Sequence, residues 1–298
     1  MSKLYTYQNG NYQVDIYSDG TKIRSVDSDV QELNPAFPES IDMKITNKCH
    51  QDCLFCHESS NEFGDHADSE FVSYILSQLP EGTEIALGGG DVMTHPDIHN
   101  LCQNAAVNFG LVPNLTVSDR TLDQHTNLLT EMSYKRFIYG LGVSYTGKGS
   151  FTPFLTKNTV LHVIAGLQPI SILDEIIEIS AEHYTPKVLV LGYKTKGRGK
   201  KYFVDHSKKI VNNFEGWSKN IGEYFGQLHL SFDNLAIKQL SMEDRFSENY
   251  WAKAYMGDDG DFTMYMDMVN KTFATSSSSS VVYSMKEPYC VREMFSNV

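Results

Sequence analysis

Three of the five cysteines in this 298-residue sequence lie within eight residues of one another. Cys49, Cys53 and Cys56 form a C-x₃-C-x₂-C run, Cys49-His-Gln-Asp-Cys53-Leu-Phe-Cys56. Cysteine thiolates are ligands for soft metal ions and for iron–sulfur clusters. An odd number of cysteines, clustered in this way, argues against a disulfide framework and predicts a metal site.

Four kinds of site could use these cysteines. A structural zinc ion would need His50 or His57 as a fourth ligand, and no second paired ligand spacing follows in the sequence. Cys53-Leu-Phe-Cys56-His57 matches a c-type haem attachment motif, and Cys53 with Cys56 matches a thioredoxin-like redox pair, but both leave Cys49 unused. An iron–sulfur cluster can use all three thiolates and leave one iron open to a non-protein ligand. The cluster is the favoured interpretation, and the other three remain alternatives.

The elements around the cysteines alternate between short strands and amphipathic helices from residue 41 onward. Such alternation predicts parallel strands joined by right-handed crossovers. We therefore expect an α/β fold with a partial (β/α)₆ TIM-like barrel, and a doubly wound sheet is the alternative. The cysteines directly follow the first strand, at the barrel end where active sites are built. The six predicted strands are Ile41–Thr46, Glu84–Gly88, Leu111–Val117, Phe137–Ser144, Asn158–Ala165 and Lys187–Tyr193.

Both ends of the chain differ from this alternating region. Turns at Asn9-Gly10 and Asp19-Gly20, with apolar alternation between them, predict an N-terminal β-meander over about residues 3–25. After about residue 235 a β-containing extension is expected, with a turn at Asn270-Lys271. The run Ser276–Ser280 is interpreted as a loop or polar edge strand without an assigned function. The expected domains are 1–38 (meander and linker), 39–235 (barrel) and 236–298 (extension).

The cysteine run resembles that of the radical S-adenosylmethionine (SAM) superfamily, in particular its single-cluster members. The resemblance includes the aromatic Phe55 just before the last cysteine. It implies that Cys49, Cys53 and Cys56 bind a [4Fe–4S] cluster whose open iron chelates SAM. One electron from the reduced cluster then cleaves SAM to a 5′-deoxyadenosyl radical, which abstracts hydrogen from a substrate. A redox partner such as flavodoxin or ferredoxin is therefore implied.

Later strands continue the resemblance in the expected order. Gly88-Gly89-Gly90-Asp91 occupies the place of the family's Gly-Gly-Glu, with Asp as a departure, and Ser144 takes the place of a ribose-binding group, with Thr116 or Ser118 as substitutes. The segment from His162 to Gly166 partly matches the family's G-x-I-x-G, and His162 is interpreted equally as a core or a substrate residue. The residues implied to bind SAM are Phe55, Gly88, Gly89, Gly90, Asp91, Ser144, Gly166 and Leu191.

Five cations, at positions 194, 196, 198, 200 and 201, follow the sixth predicted strand. We expect them on a glycine-containing loop over the barrel mouth. Lys194, Lys196 and Arg198 could there recognise an anionic substrate, and a solvated loop is the alternative. Cys102 is expected in the core, and Cys290 is either a packed apolar residue or the source of a thiyl radical. No catalytic residue is assigned.

The formal net charge of −12 argues against general binding to nucleic acid or to anionic membranes. No apolar run approaches about 18 residues, and the N-terminus lacks the apolar region of a signal peptide, so we expect a cytoplasmic protein. The predicted function is a radical SAM enzyme acting on an unidentified substrate, either a peptide or protein side chain or a nucleotide. A glycyl-radical-enzyme activase and a non-catalytic metal-binding or interaction protein with structural cysteines are the alternatives.

Overall fold

A computed structural model describes residues 2–147, 158–180 and 187–298. The N-terminal residues form a three-stranded antiparallel sheet in the order β1-β2-β3. Its turns place Gly10 and Gly20 at positive φ, and its buried face consists of Tyr12, Val14 and Ile16. The predicted meander is therefore confirmed. The strands are β1 (Lys3–Asn9), β2 (Tyr12–Tyr17) and β3 (Lys22–Ser25).

The second sheet contains the ten other strands of the described residues, in the order β10-β9-β8-β7-β6-β5-β4-β11-β12-β13. The strands from β10 to β11 in this order run parallel, and β12 and β13 continue antiparallel. The bounds are β4 (Ser40–Thr46), β5 (Glu84–Gly89), β6 (Val112–Ser118), β7 (Gly140–Ser144), β8 (Thr159–Ile164), β9 (Lys187–Leu191), β10 (His229–Phe232), β11 (Thr263–Asp267), β12 (Thr272–Ala274) and β13 (Tyr283–Ser284).

The mixed α/β class with a large parallel sheet is confirmed, and all six predicted strands are present as β4 to β9. The prediction of six parallel strands was too low, because β10 and β11 extend the parallel run on its two sides. Strand β10 has only four residues, too few for its alternation to be recognised in the sequence. The pairing of β11 with β4 joins distant segments, so local sequence contains no trace of it.

Eight α-helices accompany the strands in the described residues, and three of them begin at a residue whose side chain caps the helix. Asp68 accepts a hydrogen bond from the Phe71 amide before α1, and Asp233 caps α6 in the same way. The bounds are α1 (Ser69–Leu76), α2 (Ile98–Gln103), α3 (Thr126–Tyr134), α4 (Ile172–Ser180), α5 (Gly197–Asn220), α6 (Asn234–Gln239), α7 (Glu248–Ala254) and α8 (Val291–Phe295). No helix in these parts of the chain is long and apolar enough to span a membrane.

The meander covers the amino ends of the parallel strands. Glu39, fully buried just before β4, accepts a hydrogen bond from the Tyr12 hydroxyl at 2.7 Å and pairs with Arg24 at 2.8 Å. The ammonium of Lys187 at the start of β9 donates to the carbonyl of Asp19 at 2.9 Å. These contacts close the amino end of the sheet. The cysteines follow β4 in the sequence, so they lie at the opposite, carboxyl end.

Candidate functional site

One face of the large sheet lines a cavity of about 1150 Å³. Every second residue of the parallel strands points into it, as expected from the two-residue repeat of a strand. The cavity exceeds the roughly 300–1,000 Å³ of a usual small-ligand pocket, so it can take more than one small molecule. Lining residues from successive strands include Asp42, Lys44, Ala86, Gly88, Asn114, Thr116, Ser118, Gly142, Ser144, Val160, His162, Leu189, Leu191 and Tyr265.

The cysteines lie on the loop between β4 and α1, at the carboxyl end of β4. Cys49, Cys53 and Cys56 are all half-buried, and all three line the cavity. Phe55 also lines the cavity, and its ring meets that of Tyr202 on α5 edge-on at 6.1 Å between centroids. The structure therefore brings the three thiols together around one opening.

Backbone hydrogen bonds hold this loop in place. The amide of Asn47 donates to the Asp65 carbonyl at 2.8 Å, and the amide of Cys49 donates to the Asn61 carbonyl at 2.8 Å. These hydrogen bonds join the beginning of the loop to its later part before the chain enters α1. These bonds fix the base of the loop that carries the thiols.

A buried ionic network anchors the far end of the loop. The ammonium of Lys44 on β4 lies 2.7 Å from Glu58 and 3.0 Å from Asp267, and the Tyr265 hydroxyl donates to Glu58 at 3.0 Å. Burial opposes ionisation of Glu58, but the contacts with His57 and Lys44 outweigh it and hold the pKa of this carboxyl well below its usual range. The sequence analysis missed this network, because Lys44 alternates with apolar residues in β4 and Asp267 lies far away in the sequence.

The chemistry of the three thiols fits an iron–sulfur cluster better than a single ion. In the described parts of the chain, no group of three or more His, Cys, Asp or Glu side chains is arranged to hold one metal ion. Tetrahedral zinc needs four donors around one point, whereas a cluster distributes its thiolates over separate irons. Burial raises the pKa of the Cys49 and Cys53 thiols, so binding of metal must displace their protons.

The glycine turn after β5 lies directly on the cysteine loop. The Gly90 amide donates to the Thr46 carbonyl at 2.7 Å. A Cβ at Gly89 would overlap that same carbonyl, and a Cβ at Gly90 would overlap the carbonyl of Lys48. Gly89 also has a φ of +116°, which other residues rarely adopt. These two glycines are therefore required for contact between the two loops.

Gly88 and Asp91, on either side of these glycines, have different surroundings. No atom lies within 4 Å of the position that a Cβ at Gly88 would take, and the residue lines the cavity. The missing side chain leaves space beside the cysteines in which a ligand could approach the backbone. The Asp91 carboxylate is buried and accepts a hydrogen bond from the Met93 amide at 3.2 Å, which caps a short 3₁₀ helix.

The other residues implied to bind SAM are distributed over the later strands. Ser144 and Leu191 line the cavity, as do the substitutes Thr116 and Ser118. Gly166 does not line it: a Cβ there would overlap the ring of Phe214, so this glycine permits α5 to pack closely.

Two ionisable residues that face the cavity interior have shifted pKa values. Burial, together with the nearby Lys194 ammonium, lowers the pKa of His162 to about 4, so its imidazole is neutral at pH 7. Asp42 lines the cavity from β4, where enclosure by protein raises the pKa of its carboxyl. Asp42 could not be singled out from the sequence, because a polar residue that alternates with apolar residues is typical of the solvent-facing side of any strand.

The basic segment is not the continuous loop that the sequence predicted, because α5 begins at Gly197. Lys194 lines the cavity and donates to the Ser277 hydroxyl at 2.7 Å, whereas the ammonium of Lys196 bonds to carbonyls in the serine run. Arg198 turns to the cysteine loop: its backbone amide and its guanidinium donate to the carbonyls of Cys56 and Cys53, each at 3.0 Å. Lys194 and Lys196 therefore both reach the serine run at Ser277, and only Arg198 points to the cysteine loop.

The two remaining cysteines lie away from the cavity. Cys102 is fully buried in the hydrophobic core, as expected, and burial raises the pKa of its thiol to about 12. Cys290 is half-buried at the start of α8, beside α1, and does not line the cavity.

Comparison with solved structures finds similar folds. A structure of SuiB from Streptococcus suis bound to S-adenosylmethionine matches with a TM-score of 0.54 at 12% identity, covering 86% of this chain and 67% of that one. A second structure of Streptococcus suis SuiB matches with a TM-score of 0.54 at 11% identity, covering 92% and 81% of the two chains. No protein-family model matches the sequence, and a comparison with curated proteins gives no match.

Proposed function

We propose that this protein is a single-cluster radical SAM enzyme. The observation that carries the proposal is the position of three thiols on one hydrogen-bonded loop at the carboxyl end of β4, beside the open backbone of Gly88 and facing a large cavity. A [4Fe–4S] cluster with SAM would supply, after one-electron reduction, a 5′-deoxyadenosyl radical that abstracts hydrogen from a substrate. The similarity to a fold that binds SAM in SuiB supports the proposal.

Different residues of this chain would bind the cluster and SAM. Cys49, Cys53 and Cys56 would bind the cluster. SAM would be bound by Phe55, Gly88 to Asp91, Ser144 and Leu191, with Gly166 supporting the strand end from behind. The parallel strands would curve into a partial barrel around the cavity, and its closed lower end would exclude water from a reactive intermediate.

The substrate would occupy the part of the cavity that SAM does not fill. Lys194 is the cation of the basic segment that enters this space, so it favours an anionic group on the substrate, which can belong to a peptide or protein side chain or to a nucleotide. In this proposal Lys196 and Arg198 act through the serine run and the cysteine loop that they contact. The enzyme would work in the cytoplasm.

Anaerobic reconstitution with iron and sulfide tests the proposal. We expect brown protein with about four iron atoms per chain, and release of 5′-deoxyadenosine when dithionite and SAM are added. A preparation that binds zinc in preference to iron, or a fully loaded protein that leaves SAM intact, would contradict the proposal and favour structural cysteines.

A further inference from the structure

Five carboxylates line the large cavity, and four of them have a partner within the protein. Each of the four accepts a hydrogen bond from a backbone amide or pairs with a lysine, at 3.2 Å or less; they are Asp19, Glu58, Glu84 and Asp91. The side chain of the fifth, Asp42, forms no hydrogen bond or ion pair in the described residues. Protein surrounds this carboxylate, yet it stays accessible from the cavity. An enclosed polar group without a partner is unfavourable unless a molecule in the cavity satisfies it.

The strands on either side of β4 explain why Asp42 has no partner. On one side Asp42 pairs in register with Ala86 of β5, whose side chain is apolar. On the other side it pairs with Tyr265 of β11, whose hydroxyl donates to Glu58 at 3.0 Å. Because neither neighbour donates to Asp42, the group that satisfies this carboxylate has to come from the cavity.

The charges around Asp42 favour a cation as that group. Asp233 and Asp259 line a smaller neighbouring cavity together with Asp42. Enclosure by protein raises the pKa of the Asp42 carboxyl, and these two carboxylates raise it further, whereas the Lys194 ammonium opposes the rise. Lys194 is thus close enough to act on Asp42, but its ammonium donates to the Ser277 hydroxyl at 2.7 Å instead. A ligand group that binds Asp42 among these negative charges should therefore be positively charged.

His162 adds a neutral polar group near the same lysine. Burial, together with the Lys194 ammonium, lowers the pKa of His162 to about 4. Its ring lies over Gly142, where a Cβ would come within 2.6 Å of the imidazole, and it forms no hydrogen bond in the parts of the chain that the structure describes. A ligand in this space would therefore meet a negative group at Asp42, a positive group at Lys194 and a neutral hydrogen-bonding group at His162.

Asp42 lies deeper in the cavity than the cysteine loop. It precedes the end of β4 at Thr46 by four residues, which is about 13 Å of strand, whereas the cysteines follow that end. We propose that Asp42 and Lys194 bind the two ends of a zwitterionic substrate of the amino-acid type, with its cationic nitrogen at Asp42 and its anionic group at Lys194. The inference rests on the proposed function, in which SAM lies beside the cysteines and the substrate takes the deeper space. It favours an amino-acid or peptide group over a nucleotide, whose bases carry no positive charge at neutral pH.

A series of ω-amino acids tests the proposal, because a methylene chain of increasing length separates their ammonium and carboxylate groups. Titration calorimetry measures the binding of each probe to the reconstituted enzyme in the presence of SAM. The alkylamine and the alkanoate of equal length, which carry one charge each, serve as matched probes. We expect one chain length to bind best, at least about tenfold more tightly than either singly charged probe.

Variants then assign each charge of the probe to a residue. Asp42→Asn should weaken binding of the best ω-amino acid and of the amine by about tenfold or more, and leave the alkanoate unchanged. Lys194→Gln should weaken the ω-amino acid and the alkanoate, and leave the amine unchanged. The control Asp19→Asn makes the same change in charge at a cavity carboxylate that already has a partner, and should alter none of the three.

Urea unfolding distinguishes recognition from a structural role. Asp42→Asn should keep or raise the unfolding midpoint, because an enclosed carboxylate without a partner costs stability. A lower midpoint, equal affinity of Asp42→Asn and the unaltered enzyme for the ω-amino acid, or binding of no probe would overturn the proposal. Tighter binding of guanosine monophosphate than of any ω-amino acid would also overturn it, in favour of a nucleotide. Failure of the fully loaded enzyme to cleave SAM with dithionite would instead overturn the proposed function, since the binding measurements do not depend on cleavage.

Discussion

The carboxyl ends of β4 and β5 are built from backbone contacts, whereas those of β7, β8 and β9 present side chains to an open space. At β4 and β5 the cysteine loop and the glycine turn bond amide to carbonyl, and at Gly89 and Gly90 no side chain fits between them. At the later strands, His162 and Lys194 face the cavity, with Ser144 at the same level. The first region leaves room for only one arrangement of the backbone. In the second region the side chains can differ, and with them the groups that the cavity can bind.

This difference suggests how the two regions would divide the function. A cofactor common to many enzymes can be bound by backbone groups, which tolerate change in most side chains. A substrate particular to one enzyme must be distinguished by side chains. Changes at the ends of β4 and β5 should therefore abolish all activity, and changes at the later strands should affect only the reaction with substrate.

Removal of a cysteine should have the largest effect. We expect Cys49→Ser, Cys53→Ser or Cys56→Ser to reduce iron content after reconstitution and to bring SAM cleavage to background, because in the proposed function all three thiolates would hold the cluster. Cys290→Ser, outside the cavity, should retain both properties. Iron analysis and detection of 5′-deoxyadenosine check this, and equal loss of iron in Cys290→Ser would remove the distinction between the regions.

Replacement of Lys44 should cost the most stability. Lys44→Ala leaves Glu58 and Asp267 as buried carboxylates without their cation, which costs about 3–5 kcal/mol. Lys187→Ala on β9 removes a single hydrogen bond to a carbonyl, which costs about 1 kcal/mol. Urea unfolding of the two variants measures both values. Similar losses would mean that the network around Glu58 contributes no more than an ordinary contact.

Alanine substitutions at Gly90 and Gly88 should distinguish an effect on packing from an effect on ligand binding. A Cβ at Gly90 overlaps a backbone carbonyl, so Gly90→Ala should lose about 1–3 kcal/mol of stability. Gly88→Ala meets no protein atom and should unfold within about 0.5 kcal/mol of the unaltered protein, but bind SAM more weakly. Unfolding curves and equilibrium binding of SAM to reconstituted protein give both measurements. Unchanged SAM affinity in Gly88→Ala would argue against a ligand at that position.

The last expected effect appears only below neutral pH, in the pH dependence of stability. The pKa of His162 falls from its usual 6.5 to about 4 on folding, so below pH 6.5 the unfolded chain binds more protons at this residue. Acid therefore destabilises the folded protein from pH 6.5 down to about 4, by at most about 1.4 kcal/mol per pH unit. His162→Gln should show a shallower decline in denaturant midpoint over this interval. Parallel declines in the two proteins would show that His162 is protonated equally in both states.

The parts of the molecule that could be predicted from sequence are those encoded by neighbouring residues. The cysteine run, the turn from Gly88 to Asp91 and the meander turns are short segments, and their positions follow from strand order. The network of Lys44, Glu58 and Asp267 joins three distant segments, so no local pattern indicates it. Gly197 and Gly199 suggested a loop because glycine is rare inside helices, but here both allow α5 to touch neighbouring backbone.

The parallel pairing of β11 with β4 has a consequence for how the chain folds during synthesis. Met264 pairs with Ile41 although more than 220 residues separate them. At a synthesis rate of about 5–20 residues per second, on the order of 10 s or longer passes between the synthesis of β4 and that of β11. During that time β4 exposes an unpaired strand edge, which is prone to wrong pairing. Glu58 meanwhile lacks Asp267 and Tyr265, so the cysteine loop can be completed only late in folding.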